Sequence, residues 1–414
     1  MDKVGQELFS ERQRDEIIVP LRAGVVPRVG LEKFQVGRLE EMKSLRRDLD
    51  KVSQGGVCFR LVSGESGAGK TFLRQALSHQ ARQQGLVVAS VDLNARRRFT
   101  GRGPGKNLYN EIVRSLSTRS RPDGLALTNI VERFIFSAIR SAHGQQCSPH
   151  EIIETRLKDF EELAGGFDFI EVIRSYWQGL ETSNELLKKE ALAWLQGKFS
   201  RLSEARKSLN VCSIINGQNY FDVIKMLAQF IRFAGYKGLL LNIDEITVIT
   251  LLPAATRTKE YEQLLFIFND LMQGSGEGLG LVLYATPPLM HDVKKGIPSH
   301  CALYGRLSPN PFVESGWEDF SAPVLSLAPL AADEIMQLFF KLRHIFSYGD
   351  ELLYPLDDDG IHEFIDTYNL NQPDDQNTRA GVRLFLDYLA VREFNQTNSA
   401  QSLPQHQASN AEVF

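Results

Sequence analysis

The chain has 414 residues, a formal net charge of −4, 43% hydrophobic and 24% charged residues. That length allows two domains with a sizeable core, the fractions are those of an ordinary globular protein, and the slight acidity excludes a globally basic nucleic-acid binder. Four scattered cysteines (Cys58, Cys147, Cys212 and Cys301) form no C-x-x-C pair, which excludes a disulfide framework and a thiolate metal site. A charged N-terminus unlike a signal peptide and the lack of any apolar stretch of membrane-spanning length point to a cytoplasmic protein.

Residues 1–36 read as a mixed arm with turn signals at Gly24, Pro27 and Gly30. The segment Val36-Gly37-Arg38-Leu39-Glu40-Glu41-Met42 then enters an amphipathic helix reaching about Val52, because Leu39, Met42, Leu45 and Leu49 recur at helical spacing. The apolar run Val57–Val62 suits a buried strand. It leads into Gly64-Glu65-Ser66-Gly67-Ala68-Gly69-Lys70-Thr71, which fits G-x-x-x-x-G-K-[ST] without a departure, and Phe72–Leu77 suits the helix behind it. Strand, glycine loop and helix N-terminus in that order make an anion cradle of inward-pointing N–H groups. Residues Gly64 to Phe72 are therefore the nucleotide-binding stretch. Lys70 would reach the β- and γ-phosphates, and the Thr71 hydroxyl would hold Mg²⁺.

A second strand is expected at Leu86–Asp92. Arg96, Arg97, Arg98, Arg102 and Lys106 follow it in a glycine-rich loop, either as a phosphate-backbone contact for DNA or RNA or as a solvated charged loop. Residues 105–235 look helical almost throughout: Leu108–Leu116, Leu125–Ala142, Pro149–Leu163, Phe167–Leu180, Asn184–Leu202 and Tyr220–Phe233. About 145 residues between strands far exceed a crossover helix, so this is an insertion, either a partner-docking element or a packing subdomain.

Gly238–Asp244 is an apolar strand ending in the pair Asp244-Glu245. Asp244 would hold the Mg²⁺ hydration shell, and Glu245 would orient and deprotonate a water. Asn242 is an unexpected polar residue inside that strand and receives no role. A further strand, Leu279–Ala285, ends at Thr286, which either positions the water or marks a plain strand-to-loop turn. Arg306, after a glycine-containing loop, either reaches a neighbouring subunit's γ-phosphate or is a surface cation. Pro323–Leu327 makes the fifth strand. Ala331–Phe346, Asp358–Tyr368 and Thr378–Phe394 make a small helical lid, whose Arg379, or its rival Arg383, either contacts the γ-phosphate or is an ordinary helix-surface cation. A polar tail from Asn395 to Phe414 is expected to be disordered.

Strands alternating with helices give an α/β fold: a parallel five-stranded sheet with a large helical insertion and a C-terminal helical lid. The expected divisions are 1–36 (arm), 37–327 (core, with the insertion at about 105–235), 328–394 (lid) and 395–414 (tail).

The phosphate loop, the Asp-Glu pair, Thr286, Arg306 and the lid resemble AAA+-type P-loop ATPases. Val36-Gly37-Arg38-Leu39-Glu40-Glu41 resembles the V-G-R-x-x-E element of origin-recognition and STAND-like members, which makes Val36, Gly37 and Arg38 adenine-side residues. Over residues 20–395, Leu21–Pro27, Gly235–Gly238 and Ala285-Thr286-Pro287 resemble the BREX-type ATP-binding family (BrxD-like) of bacterial anti-phage defence. The resemblance implies ATP and Mg²⁺ as ligands, a homo-oligomer with active sites between subunits, and double-stranded DNA or a helicase as partner. Asn242 departs from it, since an aliphatic residue is usual there. Two functions stay open: an ATP-hydrolysing motor acting on DNA or a DNA-processing partner, and a regulatory switch with little turnover.

Overall fold

The structure, a computed structural model, describes residues 8–145, 147–313, 318–370 and 378–401. Its centre is a five-stranded sheet of β1 (Cys58–Gly64), β2 (Val87–Asp92), β3 (Leu239–Asp244), β4 (Leu279–Ala285) and β5 (Val324–Leu327), in the order β2-β3-β4-β1-β5. The pairs β1/β4, β3/β4 and β2/β3 are parallel. Every residue of β1, β3 and β4 is buried, as continuous apolar runs covered on both faces require. All five strands lie within two residues of their expected positions. The α/β class with a parallel sheet read from the sequence is the fold of the molecule.

The chain divides into two compact units. One, comprising Leu39–Gly64 and Leu77–Ser326, holds the sheet and the insertion. The insertion runs through helices Arg102–Ser115, Leu127–Gln145, Pro149–Leu157, Gly166–Glu181, Glu185–Leu195, Leu202–Leu209 and Tyr220–Phe233. The helix expected over Asn184–Leu202 ends at Leu195, before a turn at Gly197, and Leu202–Leu209 is a further helix that the sequence reading does not expect. The insertion's apolar side chains join the same hydrophobic core as the strands. Phe230 meets Phe134 (4.7 Å between ring centroids) and Phe169 (5.4 Å), and Phe169 stacks on Phe160 (5.4 Å). Each such buried ring contributes roughly 1.5–3 kcal/mol by leaving water. Two buried hydroxyls fix the seams: Tyr220 donates to the Phe99 carbonyl (3.0 Å) and Tyr109 to that of Leu195 (2.7 Å). Ser117 exchanges backbone hydrogen bonds with Val88, which satisfies part of the outer edge of β2.

The other unit comprises Met1–Arg38, Glu65–Ala76 and Leu327–Phe414. Its helices Glu11–Arg22, Ala332–Phe346, Asp358–Thr367 and Thr378–Gln401 form a bundle. Phe385 stacks on Phe339 (4.4 Å) and Phe364 packs edge-on against both. The first helix opens with a Ser10/Gln13 capping box and belongs to this bundle. Arg14 donates to the Phe346 carbonyl (2.9 Å) and lies over the Phe346 ring, and Arg22 pairs with Asp387 (3.1 Å). The arm and the lid read separately in the sequence are therefore one packed body. The last helix continues to Gln401, past the point where a disordered tail was expected, and residues 402–414 of that tail lie outside the described residues.

Candidate functional site

The phosphate loop continues directly from β1 and ends in the helix Lys70–Gln83. Gly69 has φ +92°, and a Cβ built on it meets nothing within 4 Å. Glycine is required there for conformation rather than for space. Lys70 Nζ donates to the Glu65 carbonyl (2.8 Å), so the lysine lies along the loop it serves. The helix start at Lys70, Thr71 and Phe72 presents backbone N–H groups and the positive end of the dipole.

The expected adenine-side segment lies in the same unit. Val36 is buried, and Phe34 packs edge-on against Phe72 at 5.5 Å. Gly37 has φ +59°, and a Cβ there would collide with the Glu334 carboxylate. Arg38 is also left-handed (φ +58°), an uncommon conformation for a residue with a side chain. Its guanidinium donates to the Ala68 carbonyl (3.0 Å) and to the Ala328 carbonyl. Arg38 thus ties the phosphate loop to the start of the lid. On the last helix Arg379 and Arg383 are both exposed, and Arg379 runs alongside Gly24.

The carboxylates sit at the C-terminal end of β3. Asp244 is 8% exposed, and its Oδ1 accepts the Glu245 N–H (2.8 Å). Glu245 is exposed and left-handed, with φ +59°. Strand register sets Asp92 beside Asp244. β4 lies between β3 and β1, so Thr286 emerges between the acidic strand and the strand leading to Gly64. Thr286 does not stand alone. Its N–H and its hydroxyl both reach Thr247 Oγ1, at 2.8 and 3.0 Å. Arg306 lies on a short helix, Cys301–Leu307, which also holds the Gly305 read as part of a loop; it is exposed and donates to Asn269 Oδ1 at 3.3 Å.

The structure divides the basic residues after β2. Arg97 pairs with Glu111 (3.6 Å), and Lys106 donates to the Phe199 carbonyl (2.6 Å). Arg98 is half-buried near Glu260, whose carboxyl is pushed up by burial and accepts the N–H groups of Phe99 and Thr100. Arg96 and Arg102 are exposed.

Sequence reading misses Thr247, Tyr284 and Ser78, whose partners are distant in the chain. It singles out Asn242 without a partner. That residue is fully buried, accepts from Tyr284 OH (3.2 Å) and donates to Ser78 Oγ (3.1 Å). The only signal was an amide among leucines.

Among the described residues no helix is long and apolar enough to cross a membrane, and no group of three or more His, Cys, Asp or Glu stands ready to hold a metal. A Mg²⁺ held by one hydroxyl, one or two carboxylates and phosphate oxygens needs no such cage. No curated protein matches the chain. Among solved structures it is similar to Cdc6p from Pyrobaculum aerophilum, at 12% identity and a TM-score of 0.40, over 90% of this chain and 67% of that one. The defence-family resemblance rested on short phrases around a phosphate loop. The match to the family described as BREX system ATP-binding protein BrxC/D extends it over residues 9–407, and the chain belongs to that family.

Proposed function

We propose that this ATP-binding protein hydrolyses ATP with Mg²⁺ and works within a phage-defence system on DNA or on a DNA-processing partner such as a helicase. The observation that carries the reading is the contrast at the end of β3: a shielded Asp244 beside an exposed Glu245 on a turned-out backbone. A shielded carboxylate suits a fixed charge, and an exposed one suits a group that must meet water. Lys70 would bind the β- and γ-phosphates, and Thr71 with Asp244 would hold Mg²⁺, whose charge offsets that on the phosphate oxygens. Glu245 would orient the attacking water and take its proton, with Thr286 setting its position. Arg306 is exposed on a short helix, as an arginine serving a neighbouring copy of the chain in a homo-oligomer must be. Arg379 or Arg383 would reach the γ-phosphate from the lid. Arg96 and Arg102 are the cations of the basic loop left exposed for a DNA phosphate backbone.

The test is steady-state phosphate release by wild type and Glu245→Gln, with and without double-stranded DNA, beside a mass measurement in ATP. The reading expects turnover that rises with DNA, a mutant that binds ATP but does not turn it over, and assembly driven by ATP. Negligible, DNA-insensitive turnover by a monomer that holds ATP would sink it.

A second reading, a nucleotide-dependent switch with little turnover, is favoured by Arg38. One guanidinium bonded both to the phosphate loop and to the start of the lid is placed to report nucleotide occupancy. Under this reading Arg38→Ala keeps ATP binding but abolishes the nucleotide-dependent change in lid protease sensitivity. An unchanged protease pattern counts against the switch.

A further inference from the structure

We infer that Thr247 is a positioning residue for Glu245 and that Asn242 is its counterpart inside the sheet. Two hydrogen-bonded clamps between β3 and β4 thereby bracket the carboxylate pair. The inference rests on the hydrolytic reading of Glu245 and concerns how that side chain is held.

The backbone explains why a clamp is needed. The β3–β4 ladder ends at the pair Ile243/Leu283. Asp244 stays with β2, where its carbonyl accepts the Leu93 N–H at 2.9 Å. Glu245 then turns into the left-handed region, unfavourable for a residue with a Cβ, and a 3-10 turn begins at Ile246. Beyond Ile243 the two strands have lost their ladder. Thr247 restores a bridge, because its Oγ1 receives both the N–H and the hydroxyl of Thr286. The turn is closed on itself as well, with Val248 N–H on the Glu245 carbonyl (3.1 Å) and Thr250 Oγ1 on the Thr247 carbonyl (2.8 Å). Residues 245–250 are thus pinned as one piece to the end of β4. Thr286 acts on the water through Thr247 and Glu245.

The second clamp lies one layer down. Asn242 precedes Asp244 by two residues, and Tyr284 precedes Thr286 by two. Tyr284 OH donates to Asn242 Oδ1 at 3.2 Å, while the amide nitrogen reaches Ser78 Oγ at 3.1 Å and, at 3.5 Å, Ser90 Oγ. Ser78 lies on the helix that starts at Lys70. A fully buried amide must be compensated by its bonds, and an apolar pair of similar shape in place of Asn242 and Tyr284 serves stability about as well. What the amide adds is a single allowed arrangement of three neighbouring elements, since a satisfied polar network tolerates no sliding.

The experiment uses the full chain with Thr247→Val, which removes the hydroxyl at constant shape, Thr247→Ser, which keeps it, and the double variant Asn242→Leu with Tyr284→Phe. Three quantities are read: ATP affinity, phosphate release, and amide exchange over residues 244–250. The inference expects Thr247→Val to slow turnover about 10- to 100-fold while ATP affinity stays within about twofold. Exchange over the turn should rise about tenfold or more, and Thr247→Ser should return the rate to within about threefold of wild type. Asn242→Leu combined with Tyr284→Phe, which removes both partners of the buried bond, should slow turnover while melting close to wild type, which separates positioning from stability. Wild-type turnover by Thr247→Val, or unchanged exchange over 244–250, overturns the inference. A wild type that binds ATP and releases no phosphate overturns the hydrolytic reading, and the exchange result then decides the clamp alone.

Discussion

The phosphate loop and the end of β3 solve the same problem, holding charged groups still, in opposite ways. The loop is made of consecutive residues, and its shape comes from backbone conformation, with Gly69 at a φ closed to side chains and Lys70 folded along its own loop. The carboxylate end is made of residues from three stretches of chain. Its shape comes from side-chain bonds that span about 40 residues (Thr286 to Thr247, Tyr284 to Asn242). A local device is sensitive to what its own residues are. A non-local one is sensitive to what its neighbours are, even when its charged groups are untouched.

That contrast can be broken or sharpened by substitution, starting with the largest effect. Lys70→Ala should weaken ATP binding by about a hundredfold or more in a fluorescent-nucleotide titration, because the lysine is the loop's proposed phosphate cation. A smaller loss would mean that the backbone cradle does most of the holding. Gly69→Ala should cost about 1–2 kcal/mol, read as ATP binding roughly 5- to 30-fold weaker, although nothing stands near the added methyl. An unaffected variant would show the loop to be less constrained than its backbone implies. Tyr284→Phe removes one oxygen and leaves the Asn242 carbonyl buried without that donor. It should destabilise the fold by about 1–3 kcal/mol in urea unfolding and slow turnover, with ATP affinity retained. Weakened ATP binding in that variant would erase the distinction between the two regions.

The smallest effect is a control away from both. The Glu154 carboxyl is held below its ordinary range, first by its hydrogen bond from Arg174 (2.7 Å), against the opposing effect of burial. A depressed folded-state carboxylate contributes stability above the unfolded-state pKa, and that contribution is lost as pH falls through the folded value. Arg174→Met should therefore melt lower at neutral pH, by about 0.5–1 kcal/mol of stability, and converge on wild type in acid. A gap that widens in acid would reverse the sign and refute the assignment.

Legibility in the sequence follows the same division. The phosphate loop, the strand ends and the Asp-Glu pair are short consecutive patterns, and they appear in the structure where the spacing puts them. The break at Gly197 was missed because apolar residues on both sides keep helical spacing across it. The motif that makes Arg38 an adenine-side residue says nothing of its two carbonyl partners, Ala68 and Ala328, which lie 30 and 290 residues away. Nothing local announces such bonds. Thr247 was invisible for the same reason, being a threonine in a turn until β4 is laid beside β3. Asn242 was visible as an anomaly because burial of a polar group always demands a partner, even when the partner cannot be named in advance.

The packing of the first helix against the last has a consequence for biosynthesis. Arg22 and Asp387 pair across 365 residues, so the bundle they join cannot close until Asp387 has been made. At about 5–20 residues per second the first helix emerges roughly 20–70 s before its partner exists. Through that interval the apolar side chains Ile17, Ile18 and Leu21, buried in the folded chain, lack the cover of the helix Thr378–Gln401.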